Sequence, residues 1–283
     1  LEVILNNLQE SILDIFKEIK KICDDNDLNY YSIGGTCIGA IRHNGFIPWD
    51  DDLDIVMPRA DYQKFQQIAP NLLSTNLEIL QEKFSDHNDT YFIKVHNKQT
   101  TLVQENFKEF KDRYTGVFVD IMPLDGLPNN SIQIGFHLGL LKVLMLLNSY
   151  RKEINLSYSN LSKIKKIAIK LLKIFPINFF LDIYLKLVKI YSFDSNSNKL
   201  SCFAWSFRAK ELILYKEDFS DFLNYKFENT LIRVPIGYDR YLKSHFGNYM
   251  VIPESENQVN HGNLIIDLNN SYKDYVNGVR GIE

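Results

Sequence analysis

Apolar residues recur at Leu5, Leu8, Ile12, Ile15 and Ile19 with charged residues between them, which predicts an amphipathic helix from Leu5 to Ile22. A polar break at Asp24 to Asn29 follows. Tyr30 to Ile33 then reads as a short strand that runs into Gly34 and Gly35, and Thr36 to Arg42 as a short helix behind that turn. In "IPWDDDLDIVMP" the pattern changes to period two: Asp50, Asp52 and Asp54 alternate with Leu53, Ile55 and Met57, as on a half-buried strand that puts three carboxylates on one face. A helix is predicted from Arg59 to Ala69. Two further strands follow: Tyr91 to His96, with Lys94 opposite Ile93 and Val95, and Val117 to Ile121, with Asp120 in its middle and Pro123 closing it.

From 131 to 193 the pattern becomes helical, rich in Leu, Ile and Lys and poor in acid, with Pro176 dividing it. Ile164, Ile167, Ala168, Leu171, Leu172 and Phe175 hold helical spacing, while Lys163, Lys166, Lys170 and Lys173 line another face. Such a helix suits an anionic membrane surface, so peripheral membrane contact is expected through 160–175; an ordinary helix with a solvated lysine face is the alternative. No stretch of about 18 residues is free of charge, the usual mark of a membrane-spanning helix. Ile132 to Asn148 comes nearest and is interrupted by Lys142. After 194 the chain alternates turns, short strands and a helix to about Met250, then becomes polar and Asn-rich, with His261 the one residue there that suggests chemistry.

Composition narrows the function class. A chain that is 45% hydrophobic and 24% charged is globular, and 32 basic against 35 acidic residues, net −3, give no overall reason to expect nucleic acid as a partner. Cys23, Cys37 and Cys202 are widely spaced and odd in number, which reads as reduced thiols in a cytoplasmic protein. The charges between Glu10 and Lys21 exclude a signal-peptide core there.

The acidic run carries the chemistry. Carboxylates this close repel one another, so they lie in water or neutralise themselves with a cation, and oxygen ligands suit Mg²⁺. A glycine pair before a helix lets backbone approach a phosphate, a D-x-D presents carboxylates to metal, and one further Asp on a later strand completes the set. This is the plan of a two-metal phosphoryl or nucleotidyl transferase.

The stretch "GGTCIGAIRHNGFIPWDDDLDIVMPRADYQKF" resembles the LicD family of phosphotransferases, to which fukutin and fukutin-related proteins are related, within the DNA polymerase beta-like nucleotidyltransferase fold. "GVFVDIMPLDGLP", "VPIGYDRYLKSHFGNYMVIP" and the downstream His261 extend the resemblance over most of the chain outside the helical part. Cys37 and Ile38 depart from leucines common in the family. The resemblance implies an α+β fold: a nucleotidyltransferase-like mixed sheet flanked by helices, with a catalytic core at 1–130, a helical insertion at 131–193, and 194–283 completing the catalytic domain. It puts the metal-binding and catalytic carboxylates at Asp52, Asp54 and Asp120, and the glycine turn at Gly34, Gly35 and Thr36. Arg42, His43, Lys94 and His261 stand as further donor-binding candidates, with a salt bridge to the acidic run as the alternative for Arg42. The implied reaction moves phosphocholine or a related phospho-alcohol from a CDP-activated donor to a sugar of a cell-surface glycan, such as lipopolysaccharide or teichoic acid, with two Mg²⁺ or Mn²⁺ ions and release of CMP. The acceptor would be a glycan or lipid-linked oligosaccharide, met in the cytoplasm or at the inner membrane face. A nucleotidyltransferase acting on a small molecule or sugar, a D-x-D glycosyltransferase and a non-catalytic glycan-binding module are the competing classes.

Overall fold

The computed structural model describes residues 6–81, 91–152, 162–194, 197–203, 213–258, 262 and 264–281, with the backbone alone at 152, 163–165 and 168. Its helices are α1 Asn7–Asp25, α2 Gly34–His43, α3 Arg59–Ile68, α4 Ser131–Lys152, α5 Lys163–Leu172, α6 Phe179–Leu187, α7 Tyr238–Phe246 and α8 Tyr272–Val276. The strands are β1 Tyr31–Ser32, β2 Asp54–Pro58, β3 Leu77–Leu80, β4 Ile93–Asn97, β5 Thr101–Gln104, β6 Phe118–Gly126, β7 Lys199–Ser201, β8 Leu214–Tyr215, β9 Phe222–Phe227, β10 Thr230–Pro235 and β11 Leu264–Asp267. The architecture is α+β.

A seven-stranded mixed sheet runs in the order β1-β2-β6-β4-β3, with β7 joining β6 and β8 joining β7. Only β2 and β6 within it are parallel. Helix α1 packs on this sheet through Ile12, Ile15, Phe16 and Ile19, all essentially buried, and the Asn6 side chain caps its start by accepting the Gln9 N–H at 3.0 Å. Each fully buried Ile or Phe is worth about 1.5–3 kcal/mol, and the cap about 1 kcal/mol more. These residues anchor the sheet from one side. A second cluster, with Leu127, Ile134, Leu141, Leu144, Leu181 and Tyr184 among its members, gathers α4 and α6 around its own centre.

Three elements differ from the sequence reading. Strand β2 begins at Asp54, so Asp50 to Leu53 are a loop and Asp52 does not lie on the strand. The Asp50 N–H is turned inward to the Ile47 carbonyl at 2.9 Å, which breaks the extended run that strict alternation suggests. Pro123 does not close β6, since the strand continues to Gly126. It is tolerated because β4 leaves β6 after Ile121 and β7 joins it only at Asp125, so the missing N–H costs no ladder bond in that gap. The polar tail also carries order: β11 pairs antiparallel with β5, from Leu264 opposite Gln104 to Asp267 opposite Thr101.

Helix α4 is long and apolar enough, by length and composition, to cross a membrane, Lys142 notwithstanding, and this differs from the charge-interrupted reading of that stretch. One side of it nonetheless packs inward through Ile134, Leu141, Leu144 and Met145. The cysteines Cys23, Cys37 and Cys202 are buried, and burial pushes the thiols of Cys23 and Cys37 up, so both stay protonated and inert.

Candidate active site

The parallel pairing of β2 with β6 sets Asp54 opposite Asp120. Paired residues on neighbouring strands point to the same side, so each strand delivers one carboxylate to one face. The backbone locks that register: the Asp120 N–H donates to the Leu53 carbonyl at 3.0 Å, and the Ile33 N–H to the Asp54 carbonyl at 3.3 Å. Thr36, in the first turn of α2, accepts the Asp54 N–H on its hydroxyl at 2.9 Å. The glycine turn and the carboxylate strand are therefore one piece.

From the other side of β6, Lys94 lies opposite Asp120 in the β4 ladder and places its Nζ 2.6 Å from Asp120 Oδ1. The same ammonium sits 3.5 Å above the Phe118 ring. A cation held by both a carboxylate and an aromatic face has little freedom to turn away.

Next to this pair, Asp50, Asp51 and Asp52 are half-buried and can bring one oxygen each within 4.8 Å of one another. Two contacts hold the loop. The Gln9 side-chain amide donates to the carbonyls of Ile47, at 3.2 Å, and Asp50, at 2.9 Å. Gly35 leaves room for the Asp50 carboxylate: a Cβ there would stand 2.7 Å from Asp50 Oδ2. In this structure the space over Gly35, expected to admit a phosphate, holds a side-chain carboxylate at the start of α2, where the helix dipole favours negative charge.

Burial, and then the charges of Asp52 and Asp120, push the Asp54 carboxyl well above the ordinary carboxylate range; Lys94 opposes this and Asp50 adds to it. Five carboxylates thus share this corner with the Lys94 ammonium. An all-oxygen donor set with excess negative charge fits a hard divalent cation, and Asp52, Asp54 and Asp120, with Asp50 and Asp51 alongside, are the residues that could hold it.

Other residues picked out from the sequence are placed elsewhere. Arg42 and His43 close α2, about 12 Å along its axis from Gly34 at the usual helical rise. Arg42 donates to the carbonyls of Tyr249, at 2.6 Å, and Val251, at 3.1 Å, and so ties down the segment after α7. His43 stands edge-on to Trp49, with ring centres 6.4 Å apart, and burial together with the Arg42 charge pulls its pKa below the ordinary histidine value. His261 lies outside the described residues.

A cavity of about 180 Å³ opens beside Lys94, with Phe107, Arg113, Tyr114, Phe118 and Tyr272 in its wall. Arg113 lies 3.7 Å over the Phe107 ring, so the cavity pairs aromatic surface with two cations. Two positioning residues carry no motif of their own. Gln9 reads as one polar position on a helix, and Tyr241 as one aromatic among many. Yet Tyr241 is buried and its hydroxyl accepts the Gly34 N–H at 2.9 Å. Only its place in "VPIGYDRYLKSHFGNYMVIP" could have drawn attention to it.

Residues 27–133 match the family described as LicD/FKTN/FKRP, nucleotidyltransferase domain. That range holds all five carboxylates and ends in the first turn of α4. Over 279 residues, 91% of this chain and 95% of the relative, the sequence is 26% identical to a lipopolysaccharide cholinephosphotransferase LicD of Haemophilus influenzae. An uncharacterized protein of Rickettsia typhi is 30% identical over 122 residues, which are 43% of this chain and 37% of that one. Another from Rickettsia prowazekii is 40% identical over 60 residues, 21% of this chain and 23% of that one.

Proposed function

The chain is a phosphotransferase of the LicD family, and we propose that it transfers phosphocholine or a related phospho-alcohol from a CDP-activated donor to a sugar of a cell-surface glycan. The observation that carries the reading is the in-register pairing of Asp54 with Asp120 beside the Asp50–Asp52 cluster, which supplies the carboxylate set that phosphoryl transfer at a diphosphate needs. The relative named as a lipopolysaccharide cholinephosphotransferase supports the choice of transferred group and acceptor.

In this reading Mg²⁺ or Mn²⁺, held by Asp52, Asp54 and Asp120, supplies Lewis-acid charge at the phosphoryl oxygens when bound. Asp120 accepts the proton of the attacking sugar hydroxyl. A bond forms between that oxygen and the phosphorus bearing choline, the bond from this phosphorus to the bridging oxygen breaks, and CMP departs. Lys94, fixed on Asp120 and Phe118, orients the base and offsets negative charge as the diphosphate approaches. The cavity beside Lys94 is small against the 300 to 1,000 Å³, roughly, of whole-ligand pockets, so it takes one moiety of the donor or acceptor.

The test is product analysis. Purified protein is incubated with CDP-choline, Mg²⁺ and a lipopolysaccharide acceptor, and the nucleotide product is identified by chromatography. CMP together with phosphocholine on the glycan is the expected result. In parallel incubations that replace CDP-choline with a nucleoside triphosphate or a nucleotide sugar, release of pyrophosphate would mean nucleotidyl transfer and release of a nucleoside diphosphate would mean glycosyl transfer.

A further inference from the structure

Charge is divided unevenly along the chain. Residues 131–193 contain ten Lys or Arg against two Asp or Glu, a net +8 within a chain of net −3, which leaves −11 for the remainder. The basic part also carries 11 of the 22 exposed large apolar side chains among the described residues. On α5, Ile167 and Leu171 are each 59% exposed, and the row continues through Ile174, at 76%, to Phe175. Helix α5 is anchored on another side by buried Ile169, so the exposed row is a face turned away from the protein. Beyond it Ile177 and Phe179 extend the patch, and the rings of Phe175 and Phe179 stack at 4.9 Å.

Helix α4 adds a stripe of its own. Ile132, Phe136, Val143 and Leu146 recur at helical spacing and are all exposed, while the opposite side packs into the second core. The Arg151 side chain donates to the Phe175 carbonyl at 3.1 Å and joins the end of α4 to the end of α5. Lys166, Lys170 and Lys173 each precede a member of the α5 row by one residue, so a basic row flanks the apolar one.

We propose that the α5 face rests on an anionic lipid surface, with Ile167, Leu171, Ile174 and Phe175 among the acyl chains and Lys166, Lys170 and Lys173 against the lipid phosphates. An apolar stripe edged by lysines is the composition of a helix lying in the membrane interface. The helix lies on the surface and does not cross it, because its other side is held by Ile169 in the protein. A second copy of the chain fits the face poorly, since a two-fold contact would press the lysine row of Lys166, Lys170 and Lys173 against its own copy. The inference uses none of the residues of the carboxylate site and stands whether or not the transfer chemistry above is correct.

Full-length protein is sedimented with vesicles of phosphatidylcholine alone and of phosphatidylcholine mixed with phosphatidylglycerol, at low and at high salt. Binding is expected to the mixed vesicles only, with loss at high salt. Lys170→Glu with Lys173→Glu, and separately Ile167→Ser with Leu171→Ser, should each lower the partition coefficient by at least about tenfold. The substituted side chains are exposed, so circular dichroism and the melting temperature should not move, and wild-type salt dependence tests the proposal without any variant. Absence of binding to anionic vesicles at low salt overturns it, as does binding that neither salt nor either double variant changes. Light scattering that shows a dimer abolished by Ile167→Ser with Leu171→Ser would give the face to a second copy and overturn it equally.

Discussion

The backbone N–H of Gly34 donates to the hydroxyl of Tyr241 at 2.9 Å, a bond between residues 207 positions apart that is buried at both ends. Gly34 has φ of +59°, in the left-handed region that favours glycine, so the turn depends both on its residue type and on a phenol from α7. Tyr241→Phe removes the acceptor and leaves a buried donor unsatisfied. A loss of about 1–3 kcal/mol in urea unfolding is expected. Unchanged stability would mean that the turn finds another acceptor.

Asp52→Asn and Asp54→Asn should each abolish turnover and leave the fold intact. Asp54 is raised by burial and by Asp52 and Asp120, so its ionised form is disfavoured in the folded state, and removing the charge should raise the melting temperature slightly in chelator. Added Mg²⁺ should raise the melting temperature of the wild type more than that of either variant. Wild-type turnover in Asp52→Asn or Asp54→Asn would remove these carboxylates from the reaction.

Two glycines of α2 should respond differently to alanine. At Gly35 a Cβ meets Asp50 Oδ2 at 2.7 Å, a side chain that can swing away, so Gly35→Ala should fold and lose activity as the acidic loop shifts. At Gly39 it meets the Gly45 carbonyl oxygen at 2.5 Å, which is backbone, so Gly39→Ala should lower stability by about 1–3 kcal/mol. Paired melting curves and activity assays distinguish the two outcomes.

Arg59 clamps Asp125 with Nε at 2.8 Å from Oδ1 and a terminal nitrogen at 2.5 Å from Oδ2, and fastens the start of α3 to the far end of β6. Asp125 is buried, and burial alone pushes its pKa up while Arg59 holds it down. Arg59→Ala would strand that carboxylate at a cost of about 3–5 kcal/mol. The double variant Arg59→Met, Asp125→Leu should recover much of the loss in the same unfolding assay.

Asp267, on β11, accepts from Tyr275 at 2.6 Å and Asn270 at 2.8 Å, bonds that hold its pKa down at about 2. A depressed carboxylate contributes stability above its unfolded value and loses it as the pH falls. Asp267→Asn should therefore cost about 1 kcal/mol at neutral pH, after allowance for solvent screening. The gap to wild type should shrink between about pH 4 and pH 2 in a melting series.

How much of this was legible depended on how local each cause is. Helices α1 and α3 follow from apolar spacing within their own segments, and Asp52, Asp54 and Asp120 stand out by residue type alone. Strict alternation misled at Asp50 to Leu53, because a turn bond to Ile47 and the Gln9 side chain outweigh the pattern there. Gln9, Tyr241 and the β5–β11 pairing were not legible, since each depends on a partner far away in sequence. Nor do the bonds of Arg42 to the carbonyls of Tyr249 and Val251 show in the sequence, for the same reason.

The wide span of the Gly34–Tyr241 bond also sets an order of events during synthesis. The strand, turn and helix around Gly34 emerge from the ribosome early, complete with their acidic loop, yet the phenol that receives the Gly34 N–H emerges only after the helices of 131–193 have been made. Tyr249 and Val251, which take up Arg42, come later still. A nascent chain therefore carries its charged corner unfinished for most of its translation, and the first turn of α7 is in effect the latch that commissions the site.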